Sequence, residues 1–358
     1  MRVMIAPDSF GGTLTAIEAT AAISAGWAEV RPDDQLIEAP QSDGGPGFVD
    51  VIAAAGGVVR TAVVEGPLGG SVTARWLLDG TDAYLESAQA CGLGLLGGPP
   101  TRSTARDAHS RGVGQLMVAA LDAGAQRIVV GLGGSSCTDG GRGLVEALAD
   151  EFGGVEAAVA RVREVELIAA TDVVHPLLGE HGAASVFGPQ KGADPETVSF
   201  LEDRNAEWAG RLRAITSRDV SAWPGAGAAG GIGAALLALG ATRESGAAVV
   251  AQRTRRDRQL ASAQLVITGE GRLDHQSLQG KLVTELSAAA RRRSIPTLVL
   301  AGQVLLDSAE FEGAGIDEAL SLVSHAGSVE RAMTDAYLQL RDLASTAALR
   351  WRSSATGL

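Results

Sequence analysis

Five loops in this 358-residue chain combine small residues with an acidic or basic side chain, each where a strand is expected to end. They read "APDSFGGT" from Ala6, "QSDGGPG" from Gln41, "GLGGSSCTDGG" from Gly131, "VFGPQKGAD" from Val186 and "GEGRLDHQSLQGK" from Gly269. Glycine lets backbone N–H groups approach a ligand, and a helix N-terminus after such a loop attracts anions. Carboxylates beside them suit a Mg²⁺ ion that bridges phosphates. The loops therefore indicate nucleotide-dependent phosphoryl transfer, in which a protein mainly positions groups and neutralises charge.

The basic residues give a sharper signal, because only two of the 30 are lysines. Lys191 and Lys281 each lie beside a glycine, where a compact ammonium group can reach a phosphate oxygen. We predict a phosphate-binding role for Lys191. For Lys281 two explanations are open: the same phosphate-binding role, and a lysine retained by chance.

Two well-known nucleotide motifs do not fit this chain. The P-loop pattern Gly-x4-Gly-Lys-Ser/Thr fails at Lys281, because Leu282 follows it and His275 stands in place of the first glycine. The run "GAGAAG" from Gly225 matches Gly-x-Gly-x-x-Gly, but no clear strand precedes it. A nicotinamide oxidoreductase is therefore a distant alternative.

Composition limits the partners and the compartment. A net charge of -12 argues against nucleic acid and anionic membranes, and two cysteines are too few for a disulfide framework. The N-terminus runs directly into a strand-like segment, so we expect a cytoplasmic protein. The uncharged stretch from Val220 to Thr242 is long enough to suggest a membrane span, but its glycines predict a loop opening a short buried helix.

The elements that must position the loops follow a strand–loop–helix rhythm. The rhythm occurs twice in the first sixty residues, with a capping box at Thr15 and Glu18, and it returns at Leu265. Between them, Arg60 to Leu85 is typical of antiparallel hairpins. We infer a parallel-sheet domain interrupted by an inserted domain, with ligands bound at the carboxyl ends of the strands.

The loops resemble those of the bacterial two-domain glycerate kinase family, which phosphorylates D-glycerate with ATP. The matching stretches, in order between residue 3 and about residue 281, are "IAPDSF", "DGG", "GLGGSSCTDGGRG", "HPLLG", "GAASVFGPQKGA", "PGAGAAGGIGAAL" and "VITGEGRLDHQSLQGK". The resemblance implies an α/β protein with a discontinuous Rossmann-like domain (residues 1–60 plus 262–358) and an inserted α/β domain (residues 61–261). It also implies an active site in the cleft between them, the cofactors ATP and Mg²⁺, and 2-phosphoglycerate as the usual product. A homodimer is a candidate assembly.

The residues that match the family motifs receive roles by inference. We expect Lys191 to neutralise the transferring phosphoryl group, either Asp43 or Asp139 to accept the hydroxyl proton, and either Glu270 or Asp274 to hold Mg²⁺. The remaining predicted contacts are Asp8, Ser9, Gly44 and Arg272 for the substrate, and Gly133, Gly134, Ser135, Gln190 and Lys281 for the nucleotide.

The chain also departs from the family pattern. Gly11 replaces a lysine, Pro46 replaces a glutamate, and Thr138 and His175 each replace an asparagine. Candidate substitutes for the missing cation are Arg102, Arg106 and Arg111. Three hypotheses stay open: an active glycerate kinase, a kinase of another small hydroxy acid, and a catalytically impaired binding protein.

Overall fold

The computed structural model describes residues 1–279 and 282–351. Within them the chain forms two compact units. Unit 1 combines Met1–Ser42 with the described residues from Val250 onward, and unit 2 is Asp43–Val249. The predicted boundaries lie later in the chain, at residues 60/61 and 261/262. The first differs because strand 58–65 pairs inside the sheet of unit 2, and helix 48–54 contacts that sheet.

The strands of the described residues are numbered along the chain. They are β1 (Arg2–Ile5), β2 (Gln35–Glu38), β3 (Val58–Glu65), β4 (Ser71–Asp79), β5 (Asp82–Glu86), β6 (Arg127–Gly131), β7 (Glu166–Ala170), β8 (Thr242–Glu244), β9 (Leu265–Thr268), β10 (Arg272–Leu273), β11 (Thr297–Ala301), β12 (Gln303–Val304) and β13 (Glu318–Ser321).

The α-helices are numbered in the same way. They are α1 (Ala16–Val30), α2 (Phe48–Ala54), α3 (Ala88–Cys91), α4 (Arg102–Asp107), α5 (Arg111–Asp122), α6 (Arg142–Phe152), α7 (Val155–Val162), α8 (Ala183–Phe187), α9 (Pro195–Thr216), α10 (Ile232–Leu239), α11 (Gly246–Thr254), α12 (Arg256–Ser262), α13 (Leu282–Arg291), α14 (Ser308–Gly313), α15 (Leu322–Ala326), α16 (Val329–Thr334) and α17 (Ala336–Arg350). Short 3₁₀ helices occur at Leu93–Leu96, Pro189–Lys191, Ala228–Gly231 and Ser277–Gln279.

Unit 1 is built on a five-stranded sheet in the order β13-β11-β9-β1-β2, with every pair parallel. Alternate residues of a strand point to opposite faces, and β1 is buried on both. Val3 and Ile5 pack with α1 and α17, whereas Met4 packs with residues of α12 and α13. The predicted capping box is confirmed: Thr15 and Glu18 exchange hydrogen bonds at the start of α1.

Unit 2 is built on a six-stranded mixed sheet in the order β3-β4-β5-β6-β7-β8. β3, β4 and β5 are antiparallel, as predicted from the hairpin pattern, and β5 to β8 are parallel. The carboxyl ends of β5 to β8 therefore lie at the same end of the sheet, where loops can bring side chains together. The two sheets with their helices confirm the predicted α/β class.

The uncharged stretch from Val220 to Thr242 forms a loop, the 3₁₀ turn at Ala228–Gly231 and the eight-residue helix α10. In residues 1–279 and 282–351, no helix is long and apolar enough to cross a membrane. No strand comes directly before Gly225 in the described chain, so the dinucleotide-binding interpretation of "GAGAAG" loses its structural context.

Candidate active site

Two of the glycine loops lie against each other in unit 2. The loop after β6 passes so close to residues 43–47 that a Cβ added at Gly133 would lie 2.5 Å from Cα of Gly45. A Cβ added at Gly134 would lie 2.5 Å from Cγ of Pro46. Only glycine fits such an approach, so these glycines bring the loop backbones together at the carboxyl end of β6.

Lys191 is buried beside this pair of loops, with 3% of its surface exposed. Its Nζ atom donates hydrogen bonds to Oγ of Ser135 at 3.0 Å and to the carbonyl oxygen of Cys137 at 2.5 Å. Burial lowers the pKa of Lys191, because a positive charge is costly away from water. An anion bound beside the ammonium group would favour its charged form.

A cavity of about 290 Å³ opens next to Lys191. Its lining includes the residues predicted to contact the nucleotide, except Lys281, which lies outside the described residues. They are Gly133, Gly134, Ser135 and Gln190, and the cavity is also lined by Lys191, which was predicted to neutralise the transferring phosphoryl group. The structure therefore brings together two loops that are more than fifty residues apart in the sequence.

Asp139 is buried at the start of α6, and both of its carboxylate oxygens accept hydrogen bonds. Oδ2 accepts from the backbone N–H of Ser110 at 2.9 Å, the hydroxyl of Ser110 at 2.8 Å and the N–H of Gly143 at 3.0 Å. Oδ1 accepts from the N–H of Gly141 at 3.1 Å. These bonds anchor the loop, which is a positioning role.

Asp43, the other predicted base, has an exposed side chain. Its Oδ1 accepts one hydrogen bond, from the N–H of Gly45 at 2.9 Å. Gly44 has φ +97°, and a Cβ there would lie 2.7 Å from the carbonyl oxygen of Ala170, at the end of β7. The loop thus presents the Asp43 carboxylate near the carboxyl ends of the parallel strands.

Sequence reasoning missed Asp172, which follows β7 in the same way that the predicted carboxylates follow their strands. Desolvation raises its pKa, and the nearby charge of Asp43 raises it further. Its Oδ2 accepts a hydrogen bond from the N–H of Ala247 at 3.3 Å.

Glu86, the last residue of β5, was missed as well. The side chain is 2% exposed, and its Oε2 accepts the N–H groups of Gly47 and Val49, both at 3.2 Å. Burial raises the pKa of Glu86 to about 7, and the charge of Asp50 adds to this, although the two backbone hydrogen bonds oppose it. In the sequence, the position of Glu86 at the end of a strand was the signal that could have identified it. Glu86 joins β5 to the loop that carries Asp43.

In unit 1, the first and last glycine loops meet. The N–H of Asp8 donates to the carbonyl oxygen of Gly269 at 2.8 Å, and a Cβ at Gly271 would lie 3.0 Å from the backbone nitrogen of Gly11. Asp8 accepts a hydrogen bond from the N–H of Ser9 at 2.6 Å. Asp8 and Ser9 therefore lie beside the loop that carries the predicted metal ligands.

In the loop from Gly269, the polar residues Glu270, Arg272 and Asp274 are close together in the sequence. The Oδ1 atom of Asp274 accepts the N–H of Gln276 at 2.8 Å, and the guanidinium of Arg272 donates to Oε1 of Gln303 at 3.2 and 3.3 Å. Across the described chain, no group of three or more His, Cys, Asp and Glu side chains is arranged to hold a metal ion. Mg²⁺ commonly uses one or two carboxylates together with substrate phosphates, so Glu270 and Asp274 fit that donor set.

Two of the arginines considered as substitutes for the lysine missing at Gly11 are engaged by carboxylates. Arg102 pairs with Asp194 and Glu196, and Arg111 pairs with acidic residues including Asp150. Arg106 lies over the ring of Phe200, 4.1 Å from its centroid. Gly11 itself has φ +48° with open space around a Cβ, so a lysine there would fit sterically at the cost of backbone strain.

Comparison with known proteins agrees with these loops. The sequence model of the Glycerate kinase family matches residues 3–158 and 152–352. Glycerate 2-kinase of Escherichia coli (strain K12) is 37% identical over 99% of this chain and 100% of its own length. Glycerate kinase of Bacillus subtilis (strain 168) is 38% identical over 97% of this chain and 97% of its own.

Two further matches extend across the chain. An uncharacterized protein of Mycobacterium tuberculosis (strain CDC 1551 / Oshkosh) is 57% identical over 99% of this chain and 92% of its own. The crystal structure of a glycerate kinase 2 candidate from Salmonella typhimurium LT2 matches with a TM-score of 0.75 and 34% identity, covering 98% of this chain and 97% of that one. The resemblance predicted from the loops is confirmed, and the chain belongs to the glycerate kinase family.

Proposed function

We propose that this protein transfers the γ-phosphoryl group of ATP to D-glycerate, giving 2-phosphoglycerate and ADP. The observation that carries the proposal is the buried Lys191 ammonium group beside a glycine-rich cavity, in a chain whose relatives include a glycerate 2-kinase. A buried, hydrogen-bonded cation beside a glycine-rich loop is suited to binding phosphate.

The reaction requires the hydroxyl oxygen of glycerate to attack the γ-phosphorus while the bond from that phosphorus to the ADP oxygen breaks. In this proposal Lys191 and the backbone of Gly133 and Gly134 hold the phosphates, and they offset the charge that moves toward ADP. Ser135 orients Lys191, since its hydroxyl accepts a hydrogen bond from Nζ. The role of Lys191 is thus electrostatic.

Asp43 is the proposed acceptor of the hydroxyl proton. Its carboxylate is exposed and accepts one short-range backbone hydrogen bond, whereas the oxygens of Asp139 already accept four. A base needs a lone pair that can reach the substrate, so the geometry favours Asp43 over Asp139.

The residues of unit 1 keep the roles predicted for them. Asp8, Ser9 and Arg272 stay the predicted substrate contacts together with Gly44, and Glu270 and Asp274 stay the predicted ligands of Mg²⁺. When bound, Mg²⁺ supplies charge neutralisation on the β- and γ-phosphates. A cytoplasmic location and a homodimer also stay predictions.

The test is ADP release from ATP with a panel of small hydroxy acids, followed by ³¹P NMR of the product. We expect turnover with D-glycerate and a 2-phosphoglycerate resonance. Turnover with another acid alone would assign a different substrate, and a 3-phosphoglycerate product would correct the site of transfer.

A Gly11→Lys variant measured in parallel distinguishes an active kinase from an impaired one. If the wild type turns over D-glycerate, the missing lysine is dispensable. A silent wild type that is rescued by Gly11→Lys would contradict the proposal and identify a catalytically impaired relative.

A further inference from the structure

The cavity beside Lys191 has an apolar lining that phosphate binding does not explain. Its lining includes Leu93, Leu132, Val173, Phe187 and Ala229, in addition to the polar residues described above. Leu93, Val173, Phe187 and Ala229 are only half-buried, so each exposes part of its apolar surface. We propose that these apolar side chains bind the nucleobase and ribose of the nucleotide, with its phosphates directed toward Lys191.

The proposal rests on the proposed function, because it assumes that a nucleotide occupies the cavity. Glycerate is a poor match for these apolar side chains. It has three carbons, two hydroxyls and a carboxylate, and no apolar face. A cavity of about 290 Å³ that is lined by apolar side chains and a few polar groups suits a larger, partly aromatic molecule.

Phe187 offers an aromatic surface to such a ring. The imidazole of His175 meets it edge-on, with the ring centroids 5.3 Å apart and an interplanar angle of 88°. This contact helps to fix the phenyl ring in one orientation. A fixed ring can stack on a base, an interaction worth about 1–3 kcal/mol per base in nucleic-acid-binding proteins.

Apolar and cationic residues of the cavity are close together in the sequence, which fits one extended ligand. Phe187 ends α8, and Lys191 ends the 3₁₀ helix that follows it. Leu93 begins another 3₁₀ helix, and its N–H donates to the carbonyl oxygen of Gly134 at 3.0 Å. One apolar wall is therefore tied directly to the glycine loop that is proposed to hold the phosphates.

Calorimetric binding of ATP, ADP and inorganic tripolyphosphate tests the assignment. Phe187→Ala and Leu93→Ala are expected to weaken ADP about tenfold, in line with the stacking energies above, and to leave tripolyphosphate unchanged. Lys191→Met is expected to weaken both. Leu95→Ala is the matched control, because Leu95 lies on the same 3₁₀ helix as Leu93, is 38% exposed and does not line the cavity.

The inference is overturned if tripolyphosphate binds the wild type as tightly as ATP, or if both Phe187→Ala and Leu93→Ala bind ADP normally. These outcomes are separable from failure of the proposed function. Normal phosphorylation of D-glycerate by both variants, with an unchanged KM for ATP, refutes the base site alone. Base-dependent ADP binding without any glycerate turnover refutes the proposed substrate alone.

Discussion

At the scale of single residues, the two carboxylates proposed as alternative bases have different environments. Asp139 is buried and accepts four hydrogen bonds, whereas Asp43 is exposed and accepts one. Replacing each aspartate with asparagine should therefore lower stability at Asp139 and activity at Asp43. An amide nitrogen cannot accept a hydrogen bond, so the buried site loses bonds that the exposed site never makes.

We predict that Asp139→Asn lowers the free energy of unfolding by about 3 kcal/mol, since charge-assisted bonds are lost in a buried site. Asp43→Asn should change it by less than about 0.5 kcal/mol and should lower kcat about 100-fold or more. Urea unfolding and steady-state kinetics measure both effects. The reverse pattern, with Asp43→Asn unstable and active, would contradict the assignment.

Glu86 gives a prediction for the dependence of stability on pH. Its pKa is raised from 4.5 to about 7, mainly by burial. Between these values the unfolded chain has released the proton that the folded protein still holds. The contribution of Glu86 to stability is therefore greatest below about pH 4.5, falls as the pH rises toward about 7, and is then constant.

Glu86→Gln removes this titration, because glutamine stays neutral throughout. We expect the stability of Glu86→Gln relative to the wild type to rise by about 3 kcal/mol between pH 4.5 and pH 7.5. Urea unfolding of both proteins across that range gives the difference, in which the titrations common to both cancel. Parallel stability curves would show that the pKa of Glu86 is not raised.

At the scale of elements, the contact between the two glycine loops of unit 2 depends on the absence of side chains. Gly133→Ala would place a Cβ 2.5 Å from the backbone of Gly45. We predict a loss of about 1–3 kcal/mol in unfolding free energy and a lower kcat, because the loop must move.

Gly94→Ala is the control for this change, since a Cβ there meets nothing within 4 Å. It should leave stability within about 0.5 kcal/mol of the wild type and activity unchanged. Equal effects of the two substitutions, measured by urea unfolding and kinetics, would rule out the loop contact as their cause.

The packing of α17 on α1 gives a second prediction at this scale. Leu340 is fully buried in the cluster that contains Trp27, whereas Leu338 on the same helix is 59% exposed. Leu340→Ala should cost about 2–5 kcal/mol of unfolding free energy, and Leu338→Ala less than about 0.5 kcal/mol. Similar costs for both would contradict the packing of this helix.

Several elements could be predicted closely from the sequence. β7 and β11 each span a short run of apolar and β-branched residues, a pattern that predicts a buried strand. The apolar run from Ala319 to Val323 predicts a strand over its whole length, but β13 ends before Val323. It stops at Ser321, whose hydroxyl accepts the N–H of Ser324 and caps α15. Local capping overrode an apolar run that also suits a strand.

At the scale of the whole molecule, the sequence predicted the class, the interrupted order of its elements and the family. It did not predict where each unit begins, because those boundaries depend on tertiary pairing. Unit 2 begins at Asp43 and β3 pairs with β4 inside it, but no local feature of the sequence at residue 43 marks this boundary. Nor did the sequence identify Glu86 and Asp172, whose pKa values are raised by desolvation and by charged neighbours distant in the chain.

By contrast, one cavity brings together several residues that the sequence singled out, and their role in nucleotide binding stays a prediction. Gly133, Gly134, Ser135, Gln190 and Lys191 come together around one cavity, as their shared loop composition suggested. Glycine and a rare lysine carry this signal because few other residues allow a backbone to approach an anion while a compact cation sits beside it.

The central claim is that Lys191 stabilises phosphoryl transfer from ATP to glycerate. The most direct measurement is kcat for ATP-dependent phosphorylation of D-glycerate by the wild type and Lys191→Met, with Arg142→Met as a control for the loss of one positive charge. Arg142 pairs with Glu146 at the surface of α6. We predict that Lys191→Met lowers kcat about 100- to 1,000-fold and that Arg142→Met leaves it unchanged. A folded Lys191→Met protein with kcat within twofold of the wild type would contradict the account.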